Sequence, residues 1–268
     1  MDLPDTDSSR VSVCSGMTAY VSFACAGLVL ATALLAGCAQ APVTGRQQLM
    51  LISDDRANEL GDEAWKQIQS EMKTSSDAAA QAQVKEIGRK LVAVSGAEGL
   101  DWEFQLFDEP TPNAFALPGG KIGVNSGMLD VARTQAQLAA VLAHEVGHVV
   151  ARHPSELMSQ SAAIQTALGT AGVTEGAAGE LVQLVTGVGA LSFSRSAESE
   201  ADRIGLEYMA KAGYDPRAAI ELWQNMQAAT AERGSPPEFL STHPNPTNRI
   251  AAIEAVLPEV MPLYRANR

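Results

Sequence analysis

Residues 134–152 read TQAQLAAVLAHEVGHVVAR, and this stretch decides the fold. Leu138, Val141, Leu142, Val146 and Val149 recur at three- and four-residue intervals, which gathers them into one apolar stripe of a helix. His153-Pro154 follows, and a proline without an N–H stops the helix there. Inside the stripe stands His144-Glu145-Val146-Gly147-His148, the pattern H-E-x-x-H. A spacing of four sets the two imidazoles one turn apart on the same face.

Outward from this helix the pattern changes period. Trp102, Phe104 and Leu106 alternate with polar residues, as in a half-buried strand over residues 102–107. Ala114 to Leu117 and Lys121 to Val124 flank Pro118-Gly119-Gly120 and predict a hairpin. The strand Lys121 to Val124 is expected to lie beside the H-E-x-x-H helix and to offer an edge to an extended peptide. Helices are expected over 54–72, with Ser53-Asp54 as caps, and over 78–94, 197–211, 216–229 and 247–256. The small-residue stretch 159–189 predicts two helices around a loop near Gly169 to Gly176. The fold class is therefore α+β, predominantly helical, with a small β-sheet packed beside the H-E-x-x-H helix.

Zinc accepts neutral imidazole nitrogens, and a catalytic site takes three protein ligands and keeps one position for water. His144 and His148 supply two ligands, and Glu145 sits where it can take the proton of a water attacking a carbonyl. A second helix carries Glu198, Glu200 and Asp202. Glu198 and Asp202 are four apart, so one carboxylate can bind the metal while the other fixes the tautomer of a ligating histidine. By spacing alone Glu198 is the better third ligand. Glu200 points elsewhere and reads as part of a solvated acidic face. His243, in Thr242-His243-Pro244, has three readings: a fourth ligand, a transition-state stabiliser, or a loop histidine bonded to backbone. Arg249 either anchors a buried carboxylate or stabilises an oxyanion. His153, past the helix end, reads as a helix-terminal charge partner.

The chain of 268 residues carries a net charge of −12, and removing residues 1–37, with three acids and one base, leaves −10. That balance excludes a nucleic-acid partner, which needs clustered Lys and Arg. Cys14, Cys25 and Cys38 are the only cysteines, so residues beyond 38 have no thiol for an internal disulfide. Val21 to Leu35 is almost wholly apolar and runs into Leu35-Ala36-Gly37-Cys38, small residues ahead of a cysteine, which reads as a secretory signal, although Arg10 is its only base. An uncleaved membrane helix is the competing reading, on a run short for spanning a bilayer. The organisation expected is a signal over 1–37, a tether over 38–48, one metallopeptidase domain over 49–262 and a short tail over 263–268.

Several of these motifs carry a family resemblance. His144 to His148, the run Ser194 to Asp202, and Pro112-Asn113-Ala114-Phe115-Ala116 together resemble the gluzincin zinc peptidases of the HtpX and CAAX prenyl protease group. Pro42-Val43-Thr44-Gly45-Arg46, Gln48 to Leu51, and Thr242-His243-Pro244 with Arg249 resemble its periplasmic lipoprotein branch. Leu35 to Cys38 resembles a lipobox, which implies lipidation of Cys38, and Ala39 in place of Asp implies the outer membrane. The resemblance implies Glu198 as third ligand and one Zn2+ per chain. It also implies misfolded or misassembled envelope proteins as substrates and a membrane reached through the lipid anchor. The alternative expectation is a zinc-stabilised envelope lipoprotein with chaperone-like action and no turnover. Glu145 separates the two, because a structural zinc site has no use for an unligated carboxylate there.

Overall fold

The computed structural model describes residues 38–167, 177–185, 192–233, 239–243 and 249–268; the signal over 1–37 and the loop near 169–176 lie outside the described residues. In chain order the elements are β1 (Cys38–Gln40), β2 (Gln47–Leu49), α1 (Asp54–Glu71), α2 (Ala78–Val92), β3 (Glu103–Phe107), β4 (Ala114–Leu117), β5 (Lys121–Asn125), α3 (Met128–Val131) and α4 (Gln135–Val150). They continue as α5 (His153–Ala167), α6 (Ala177–Val185), α7 (Arg195–Lys211), α8 (Ala218–Arg233), α9 (Phe239–Thr242) and α10 (Arg249–Asn267). The architecture is α+β with helix dominant.

Local chemistry sets the boundaries. Ser53, Asp77, Thr134 and Ser194 each stand at an N-cap, and their side chains accept N–H groups of the first turns of α1, α2, α4 and α7. Helix α4 ends at Val150, the chain turns through Arg152 at φ 62°, and Pro154 occupies the first turn of α5, where its missing N–H costs nothing.

The three-stranded sheet has the order β3-β5-β4, with β3 and β5 parallel and β4 and β5 antiparallel. Gly119 and Gly120, at φ 81° and 93°, close the β4-β5 hairpin in a conformation that side chains with a Cβ rarely adopt. The strand order corrects one expectation: Lys121–Asn125 is central and paired on both sides, so it offers no edge. The edges are β3 and β4. Turn chemistry fixes a hairpin but does not reveal that a distant strand adds to its far side.

Helix α4 runs through the middle of the larger core, against Val84, Ile87, Ile122, Val124, Ile204 and Trp223. A smaller core joins Trp65, Phe107 and Phe115 to Leu157 and Phe193. Two glycines let α4 and α7 come unusually close. A Cβ at Gly147 would lie 2.9 Å from the Ala201 carbonyl oxygen, and one at Gly205 would lie 3.0 Å from the Ala143 carbonyl carbon. That mutual approach brings the acidic helix against the paired histidines.

Two further expectations change. Residues 39–48 are not a free tether: β1 and β2 form an antiparallel hairpin whose Ala41 and Gln48 are buried, and Gln48 donates to the Ala151 carbonyl and to Glu156. Residues 263–267 are not a tail but the end of α10, which continues through Pro258 and Pro262. Those prolines lie four apart on the exposed face, so the carbonyls they leave unbonded face water. Among the described residues no helix is long and apolar enough to cross a membrane.

Candidate metal centre

His144, His148, Glu198 and His243 are all buried, and their ligand atoms lie within 4.8 Å of one another. Helix α4 supplies the first two from one face. His144 Nε2 and His148 Nε2 stand 2.9 Å apart, and Glu198 Oε1, from the first turns of α7, stands 3.3 Å from His148 Nε2. His144 Nε2 is 3.5 Å from Glu198 Oε2. Tetrahedral zinc with bonds of 2.0–2.1 Å spaces its ligand atoms by about 3.3 Å, so these separations match.

The unpaired atoms point to the same conclusion. Glu198 Oε1 and His243 Nε2 are buried without a hydrogen-bond partner among the described residues. Burying such atoms unpaired is costly, and a cation between them removes the cost. The residues present fit a zinc ion, and the cofactor of this site is Zn2+.

The surroundings hold the ligands in register. Asp202 Oδ1 lies 2.9 Å from His144 Nδ1 and accepts its proton, which leaves Nε2 with its lone pair facing the cluster. Arg249 is fully buried. It donates to Glu198 Oε2 at 2.8 Å and to Asp202 Oδ1 at 2.6 Å, and its guanidinium lies 3.9 Å from the centre of the Trp223 ring. It thus contacts both carboxylates of α7, and its Nη2 also lies 3.2 and 3.3 Å from the two ring nitrogens of His144. His243 is also buried, with Nδ1 2.9 Å from Thr242 Oγ1 and its ring stacked on Phe239. It therefore lies against the cluster, with a ligand atom within 4.8 Å of those of His144, His148 and Glu198.

Electrostatics favour ligation. Burial and the proximity of His144 hold His148 well below the usual imidazole range, and burial takes His243 down to about 3, so both are neutral donors. Burial opposes ionisation of Glu198, but His243, His144 and His148 around it outweigh that and keep it a carboxylate. Without metal, burial and Arg249 depress His144, yet Asp202 and Glu198 raise it overall. Glu145 differs from the rest. Burial pushes its carboxyl up to about 8, and neither oxygen has a hydrogen-bond partner among the described residues; Oε1 lies 3.4 Å from His243 Nε2.

Two residues read otherwise from sequence belong to this neighbourhood. Glu200 is not on a solvated face: it is buried, accepting from Thr44, from Arg46 at 2.5 Å and from His153 at 3.1 Å. His153, read as a helix-terminal charge partner, begins α5 and faces Glu200 with Nε2 at 3.1 Å. It is buried, with Nδ1 2.9 Å from His148 Nδ1. The missing signal was the β1-β2 hairpin, which covers the far side of α7.

Comparison with known proteins agrees with this geometry. The chain is 38% identical over 222 residues to "Mitochondrial metalloendopeptidase OMA1" of Schizosaccharomyces pombe, covering 81% of this chain and 66% of that protein. It is 32% identical over 241 residues to the human protein "Metalloendopeptidase OMA1, mitochondrial", covering 82% and 46%. To "Beta-barrel assembly-enhancing protease" of Escherichia coli (strain K12) it is 28% identical over 221 residues, covering 78% and 45%. The chain spans between 36% and 70% of the length of the curated relatives it matches. The model of "Peptidase family M48" matches residues 78–257. That span includes both helices whose close packing builds the cluster and all four of its donors, and the chain belongs to peptidase family M48.

Proposed function

We propose that this protein is a zinc-dependent endopeptidase in which His144, His148 and Glu198 hold the metal and Glu145 is the general base. The observation that carries this reading is Glu145 itself. A buried carboxylate with neither oxygen hydrogen-bonded among the described residues, beside a set of metal donors, suits proton transfer better than a structural role. When bound, zinc supplies Lewis acidity toward water and toward a substrate carbonyl. Glu145 takes a proton from the attacking water as its oxygen joins the acyl carbon. The same carboxyl returns a proton to the amine nitrogen as the C–N bond breaks. Arg249 keeps Glu198 oriented, and Asp202 keeps His144 in the tautomer that presents Nε2. Cleavage of an unfolded protein such as casein should vanish with a chelator and return with zinc; turnover that survives full metal removal would overturn the proposal.

The substrates we propose are misfolded or misassembled proteins of the cell envelope, with the chain anchored through a lipid on Cys38 and facing the periplasm, at the outer membrane. The Leu35 to Cys38 motif and the likeness to the barrel-assembly-enhancing proteases support this. Acyl labelling that disappears in Cys38→Ser is its check.

His243 acts as a restraint in this reading. Its Nε2, without a hydrogen-bond partner among the described residues, completes a four-donor set, and a fourth ligand takes the place water needs. His243→Ala should therefore raise cleavage of unfolded protein at nearly unchanged zinc content. A fall in turnover with the metal retained would assign His243 to transition-state stabilisation instead.

A further inference from the structure

The β1-β2 hairpin reaches the cluster from behind. Arg46 Nε donates to Glu200 Oε2 at 2.5 Å, and its two terminal nitrogens donate to Glu156 at 3.0 and 2.5 Å. Thr44 Oγ1 donates to Glu200 Oε1. Glu200 Oε2 also faces His153 Nε2 at 3.1 Å, and His153 Nδ1 faces His148 Nδ1 at 2.9 Å. His148, His153 and Glu200 are all buried, so water does not break the series.

The donors and acceptors along this series fit together in one direction. Glu200, a carboxylate gripped by Arg46, only accepts, so His153 Nε2 carries a proton. As a neutral imidazole His153 then has Nδ1 free to accept, and the group opposite it, His148 Nδ1, must donate. His148 is left with a bare Nε2, the atom that faces Glu198 and His144. Asp202 does the same for His144 in one step, and for His148 the carboxylate acts through a second ring.

We propose that Arg46, Glu200 and His153 are positioning residues that lock His148 in its Nδ1–H tautomer, so that the docked N-terminal hairpin sets the metal affinity of the site. This rests on His148 being a zinc ligand as read above. A purely adhesive hairpin would make the same ion pairs, and the two cases differ in what the metal senses.

The test uses the full chain loaded with zinc or cobalt(II). It reads zinc affinity by chelator competition, the visible spectrum of the cobalt form, and thermal unfolding. Arg46→Met and His153→Phe should weaken zinc binding about 10–100-fold, the range for losing an outer partner of a ligating histidine, and should shift the cobalt spectrum. His153→Gln should restore both, because its amide can accept from His148 and donate to Glu200. Gln48→Leu removes another buried contact of the hairpin without touching Glu200; it should lower the unfolding temperature and leave the spectrum unchanged. Wild-type affinity and spectrum in both Arg46→Met and His153→Phe would overturn the relay. So would a spectral shift in Gln48→Leu equal to that of Arg46→Met. Should His153→Phe fail to fold, Arg46→Met, at a partly exposed position, decides alone. A wild-type chain that takes up no zinc would instead overturn the metal-site reading.

Discussion

Glu145→Gln is expected to keep about one zinc per chain while losing peptide cleavage by about three orders of magnitude, the scale of a positioned general base. The side chain makes no hydrogen bond to the cluster, and the four candidate donors lie on other residues, so its loss should leave metal content intact. An amide of the same shape cannot accept the proton of the attacking water. Metal analysis alongside a cleavage assay checks both halves. Undiminished cleavage would remove Glu145 from the mechanism, and loss of zinc with the activity would make it a ligand.

The same substitution has a second signature in the metal-free protein. Burial holds the Glu145 carboxyl at about 8 in the folded chain, above its ordinary value of 4.5. A group raised on folding contributes stability that is fully present below the unfolded pKa and lost as pH rises through the folded one. Between pH 4.5 and 8, wild type should therefore lose stability that Glu145→Gln keeps, by on the order of a few kcal/mol. Denaturant unfolding across that range, with chelator present, measures it. Parallel pH profiles for the two proteins would mean that water reaches the carboxylate in the folded state.

The contrast between α4 and the hairpin at residues 38–49 marks how far the sequence could be read. An apolar stripe and a four-residue histidine spacing are local patterns, and a single helix satisfies them wherever it packs. The sheet and the helices around it followed from equally local signals. Glu198 was harder: its spacing of four from Asp202 favours it as third ligand, but spacing shows neither which groups face it nor that Glu200, two residues on, has buried partners of its own. Partners distant in the chain settle that: Arg249 and the paired histidines on one side, Arg46 and His153 on the other. The hairpin was illegible for the same reason. It mixes small, apolar and polar residues in strands only three residues long, and its docking depends on Glu156, Glu200 and the Ala151 carbonyl, all more than a hundred residues away. Central placement of β5 likewise depended on β3, which no turn connects to it.

Glu198→Ala is expected to weaken zinc binding by more than about a hundredfold, beyond the ceiling for loss of an outer partner, because it removes a first ligand and its anchor together. Glu198 is wholly buried, and its two oxygens serve different groups: Oε1 faces His148 Nε2, and Oε2 accepts from Arg249. Truncation therefore also leaves the buried Arg249 with Asp202 as its one remaining carboxylate partner among the described residues, and removing one member of a buried ion pair typically costs about 3–5 kcal/mol. The variant should thus unfold more readily even without metal. Glu200→Gln is the informative partner, because it lies on the same helix and is also buried, yet its carboxylate reaches the cluster only through His153. It should fall within the smaller range of about 10–100-fold. The ordering is what the geometry demands: Glu198→Ala far below Glu200→Gln, and Glu200→Gln below wild type. Equal zinc loss in the two variants, by chelator competition on folded protein, would mean that the wrong face of α7 has been assigned to the metal.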